Sequence, residues 1–176
     1  MENSDLMSLF IEELADMYSA EQQIIGALPR LIKLACHDDL RKALSDHLAE
    51  TITQKSRIDE IYSLLGVTRQ QQKCAAMEGL VKEADEIIAD KEPSALLDAA
   101  IISACQKVEH YEIASYGTLK SFAQHLNLSA EIKSLIKKTL DEEGGADKKL
   151  TNIAEGSLFT KGVNKEAAQD SSRCCR

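Results

Sequence analysis

A chain of 176 residues is about one domain's worth and can bury roughly two thirds of the surface that its unfolded form exposes. With 44% hydrophobic and 28% charged residues, only two Pro and eight Gly, and Ala, Leu, Glu, Lys, Gln and Ile abundant, the composition excludes a turn-rich sandwich or barrel and points to an all-α fold. A net charge of −8 repels phosphate backbones and anionic lipid surfaces, so neither nucleic acid nor a membrane is an expected partner.

The spacing predicts five helices. Ser4 and Asp5 can cap the first, whose apolar stripe runs Phe10, Leu14, Met17, Ile24, Leu28, Leu31 and Ala35 in steps of three and four, with Glu21 on the same stripe. Pro29 is expected to kink or shorten its last turn. His37-Asp38-Asp39 supplies a turn and a new cap, and a second helix follows to about Leu65, with Gly66 as its C′ residue. One face of it carries Leu40, Ala43 or Leu44, His47, Glu50 or Thr51, Gln54, Ile58 and Ile61, so the middle of the stripe is polar. A shorter crossover helix from about Lys73 to Ala89 presents Met77, Leu80, Val81, Ala84, Ile87 and Ile88. Pro93-Ser94 opens a long fourth helix ending near Asn127, with Leu97, Ile101, Cys105, Val108, Glu112, Tyr116, Leu119 and Ala123 on its stripe. Ser129 caps the fifth, which carries Ile132, Ile136, Leu140, Glu143, Leu150 and Ile153. Two long antiparallel hairpins joined by a crossover element make a four-helix bundle over residues 1–159, and the polar, aperiodic residues 160–176 are expected to be a disordered tail.

Among five Cys there is no C-x-x-C pair, and Cys174-Cys175 cannot easily bridge each other. Cys36, Cys74 and Cys105 read as small buried hydrophobes rather than reactive thiols. Without a basic leader or an apolar run near the roughly 18 residues of a membrane helix, the expected compartment is the cytoplasm.

A carboxylate in an apolar stripe is costly unless it is paired, protonated or metal-bound, and each long helix has one. At roughly 1.5 Å per residue, Glu21 and Glu50 lie within about one turn of the same level about the first hairpin, and Glu112 and Glu143 are nearly symmetric about the second. Glu109 shares a face with Glu112 as an E-x-x-E pair. Such a cluster suits a hard divalent cation; the competing reading turns Glu50 or Glu109 to solvent and gives the rest basic partners.

The segments YSAEQ at 18–22, HLAET at 47–51, CAAMEGL at 74–80, QKVEHYEIASYGTL at 106–119 and LDEE at 140–143 resemble the bacterial YciF stress-protein family, of the ferritin-like superfamily and related to rubrerythrins. The resemblance runs from about Asp5 to Ala154. It implies a stress-response bundle, a homodimer, and a di-iron-type site whose ligands match Glu21, Glu50, Glu109, Glu112 and Glu143. The histidines of an E-x-x-H pattern are replaced by Thr53 and Ala146, which argues against an intact ferroxidase- or peroxidase-like oxidoreductase. His47, Gln54 and Asp147 are weaker candidate ligands, His47 reading first as a core or boundary histidine. Fewer imidazoles shift the preference from Fe, Zn or Cu towards Mn, Mg or Ca, with Fe(II) still allowed, so the expected ion is Fe or Mn, otherwise Mg or Ca. Tyr18 and Tyr116 read either as partners of ligand carboxylates or as core aromatics, and His110 as a surface or dimer contact. Gly144-Gly145, in mid-helix, marks a local bulge or a close backbone approach. The alternative function is a non-catalytic dimeric scaffold that has lost metal chemistry, its protein partner unknown.

Overall fold

The computed structural model describes residues 5–89, 91–157 and 161–169; Cys174 and Cys175 lie outside them. It contains helices α1 (Asp5–Leu34), α2 (Asp38–Leu65), α3 (Ala75–Ile88), α4 (Ala95–His125), α5 (Ala130–Glu155) and α6 (Val163–Gln169). No helix among the described residues is long and apolar enough to cross a membrane.

The helix starts follow local chemistry. Ser94 and Ser129 accept hydrogen bonds from the backbone N–H of Leu97 and Ile132, both at 3.2 Å, as their positions predict. For α3 the cap is Cys74, whose sulfur accepts from Met77 N–H at 3.3 Å. Gly66 ends α2 in the left-handed region at φ 66°. Pro29 neither ends nor shortens α1, which continues to Leu34; it sits on the exposed side, where a missing helical N–H is cheap.

The corner between α1 and α2 is held from elsewhere in the chain. His37 provides no side-chain cap, and the buried Asp98 carboxylate of α4 accepts from Cys36 N–H (2.9 Å), His37 N–H (2.8 Å) and the Cys36 thiol (3.2 Å). This contact puts the start of α4 beside the first hairpin turn and fixes how the two hairpins face each other.

Each of α1 and α5 packs against both α2 and α4, closing a ring of four helices; α3 lies against α1 and α4. One end of the interior is filled by Phe10, Leu14, Ile58, Ile61, Leu119 and Ile136, with Tyr62 donating to the Ile11 carbonyl at 3.2 Å. The other end holds Leu28, Leu31, Leu40, Leu44, Ile101 and Leu150. Between two apolar plugs lies a polar waist.

The expected disordered tail needs correction where it is described: residues 163–169 form α6, packed on α4 and α5 with Val163 fully buried. One buried apolar residue anchors it, too weak a signal to stand out in a polar sequence. Gly162 makes the approach feasible, since a Cβ there would stand 2.2 Å from the Glu155 carbonyl carbon.

Replacing Asp98 by Ala strands two backbone N–H groups at the corner and should cost on the order of 3 kcal/mol, read as a lower urea midpoint. Asp98→Asn, which keeps one acceptor oxygen, should lose less.

Candidate functional site

Helical spacing brings Glu21 from α1, His47 and Gln54 from α2, Glu109, Glu112 and Tyr116 from α4, and Glu143 from α5 into the waist, all buried. One donor atom from each of His47, Glu109, Glu112 and Glu143 lies within 4.8 Å of all the others. His47 Nε2 stands 3.4 Å from Glu109 Oε1.

The polar groups here are conspicuously unsatisfied. Neither oxygen of Glu112 and neither ring nitrogen of His47 has a hydrogen-bond partner, and one oxygen each of Glu21, Glu109 and Glu143 is also without one. Buried carboxyls in native proteins are normally paired, so this concentration of orphans marks the waist as a place for a ligand. Two of the remaining oxygens are held by donors: Tyr116 Oη donates to Glu21 Oε1, and the Gln54 amide donates to Glu143 Oε1.

Burial, reinforced by the charges of their neighbours, raises Glu21, Glu109 and Glu112 well above the usual carboxylate range. Burial also raises Glu143 to about 7, hydrogen bonding with Glu109 and Gln54 limiting the rise. For His47 burial works in the opposite sense and lowers its pKa to about 4, leaving a neutral imidazole with a free lone pair.

Several sequence expectations change. Glu50 is exposed and outside the cluster: the inward stripe of α2 runs His47, Thr51, Gln54 and Ile58, and Glu50 is turned about 60° from His47 towards α5. His47 thus stands on α2 at the cluster where the resemblance places Glu50. Gln54 points inward, its N–H₂ donating to Glu143 while its Oε1, buried, has no hydrogen-bond partner. Asp147 stays at the rim, accepting from Gln106 at 3.2 Å and facing exposed His110 at 3.5 Å. Tyr18 lies between the Lys55 ammonium and the Arg69 guanidinium, 4.5 and 3.6 Å from its ring centre, and serves the surface. Tyr116 does bond a site carboxyl.

One element of the site escapes the sequence reading. Arg57 forms a two-pronged pair with Glu142 at 2.5 and 2.8 Å and donates to Thr139 at 3.1 Å, while Gln54 bridges Glu142 and Glu143. The available signal was Arg57 standing one turn beyond Gln54, next to the polar stripe.

The sequence pattern of the domain of unknown function DUF892 matches residues 5–168. The chain belongs to this family. The protein YciF of Escherichia coli strain K12 is 43% identical over 166 residues, which cover 94% of this chain and 99% of YciF. The crystal structure of that stress protein superimposes with a TM-score of 0.81, over 87% of this chain and 95% of the other. YcfI from Rhodopseudomonas palustris, at 42% identity, gives 0.80 over 87% and 97%. The all-helical bundle is therefore the architecture of this DUF892 chain's relatives too.

A carboxyl that binds its proton more tightly in the folded state than in the unfolded one adds stability at low pH and loses it as pH rises through the folded pKa. Metal-free protein should therefore lose thermal stability as pH rises from the ordinary 4.5 of a glutamate through the value of about 7 at Glu143. His47 acts oppositely, subtracting stability as pH falls from 6.5 towards about 4. Glu112→Gln should raise the Tm of metal-free protein above pH 7 and flatten the loss, as thermal melts across this range would report.

Proposed function

We propose that the waist of the bundle binds a divalent cation through Glu109, Glu112, Glu143 and His47, with Glu21 as a further carboxylate. The observation that carries this reading is Glu112, a fully buried carboxyl with both oxygens unpaired, grouped with an imidazole that is equally unpaired. A cation supplies at once the counter-charge and the missing partners of all these groups. The donor set fits: three carboxylates suit Mn, Mg or Ca, and the neutral imidazole of His47 moves the preference towards Fe(II) or Mn(II). Iron or manganese held there would bring one-electron chemistry towards oxygen or peroxide.

The chain's own groups prepare the site. Burial keeps His47 neutral, as a ligand must be. Tyr116 and Gln54 each hold one oxygen of a carboxyl, Glu21 and Glu143 respectively, which orients the other. The Arg57–Glu142 pair ties α2 to α5 beside the waist. We extend to this chain the stress role that the name of the E. coli relative carries, and the homodimer belongs to the same proposal, to be checked by sedimentation velocity.

Elemental analysis after anaerobic loading with Fe(II) or Mn(II) tests the site. Wild type should retain near-stoichiometric metal, Glu112→Gln and His47→Ala should retain far less, and Tyr116→Phe should weaken binding roughly tenfold or more. Equal retention by wild type and a Glu21, Glu112, Glu143 triple Gln variant would overturn the assignment. An oxygen-consumption trace on the loaded protein then separates a redox-active centre from a redox-silent one, and failure to retain metal favours the scaffold reading.

A further inference from the structure

We infer that the cleft between α2 and α5 is the route by which a hydrated divalent cation reaches the waist, with Glu50 as its first docking ligand and Gly145 as its aperture. The inference rests on the metal-site reading above and assigns residues that the reading leaves without a role. A cavity of about 180 Å³ runs inward here, lined by Glu50, Glu142, Gly145 and Lys149 and, at its depth, by His47 and Glu109. That is room for several waters, and thus for an ion that has not yet shed its shell. The other hollow that reaches His47 and Glu109, about 30 Å³ beside Leu28, Val81 and Val108, is walled by apolar side chains and offers a hydrated ion nothing.

Charge at the mouth favours a cation. Lys149 is tied to Asp46 at 2.6 Å and Glu142 to Arg57, whereas Glu50 takes part in neither pair and stands exposed. At the inner end the buried His47, neither of whose ring nitrogens has a hydrogen-bond partner, lines the cavity beside Glu109. A ligand is thus available at each end of the path, carboxylate outside and imidazole with carboxylate inside.

Gly145 explains the opening. The helix α5 runs unbroken from Ala130 to Glu155, so the glycine pair makes no bulge, and a Cβ built at Gly145 meets nothing within 4 Å, so no close backbone approach demands it. A glycine in mid-helix is disfavoured against alanine. What its missing side chain provides here is space in the wall of the cleft.

The experiment follows Mn(II) uptake by the full chain through loss of the free-ion electron paramagnetic resonance signal. Gly145→Leu, which improves helix propensity and so leaves folding unharmed, should slow uptake severalfold with unchanged final stoichiometry. Glu50→Gln should slow it by up to about tenfold at low ionic strength, the difference fading as salt rises. Gly79→Leu, on the exposed face of α3, should fill as fast as wild type. If wild type takes up Mn(II) and Gly145→Leu fills equally fast, the route is overturned and the metal site stands. If wild type takes up none, the metal site falls and the route with it.

Discussion

The fold is organised around the desolvation of four glutamates. Glu21, Glu109, Glu112 and Glu143 come from three different helices and meet in the buried waist, where Tyr116 donates a hydrogen bond to Glu21 and Gln54 one to Glu143. Without a cation, the inexpensive state for most of these groups is the protonated one, which is why burial leads the causes raising each of them. The waist is thus a region of low stability set inside a well-packed bundle, a pattern expected where binding rather than folding dictates residue choice.

Everything else in the bundle can be read as holding that waist together. Apolar plugs above and below it, from Phe10 to Ile136 at one end and from Leu28 to Leu150 at the other, provide the burial that a polar centre withholds. Asp98 locks the start of α4 to the α1–α2 corner, so that Glu109 and Glu112 arrive at the level of Glu21 and His47. Seating α6 on α4 and α5 through Val163 adds a further constraint on the second hairpin.

The chemistry of the site differs from a pure carboxylate cage because of His47. An imidazole kept neutral by burial gives the donor set a nitrogen that suits iron and manganese better than calcium. Glu50, displaced from the centre, and Gly145, without a side chain, lie together on the path from solvent to that imidazole. Residues that look out of place when a single centre is assumed fall into order once a way in is considered.

Five of the six helices and most of the buried carboxylates were legible in the residue pattern. Stripe periodicity placed all five long elements, and Ser94, Ser129 and Gly66 set ends where local capping chemistry operates. The carboxylates Glu21, Glu112 and Glu143 stood out because a charge in an apolar stripe has few inexpensive explanations. The remainder depends on packing between helices. Whether His47 or Glu50 faces inward depends on a rotation of about 60° in α2, less than one residue step, which is set by packing against α5. Tyr18 and Tyr116 each stand within a turn of a stripe glutamate, yet one meets Lys55 and Arg69 and the other Glu21, because their neighbours come from distant parts of the chain. Asp98 and Arg57 acquire their roles only through partners 61 to 85 residues away, contacts that no local periodicity encodes.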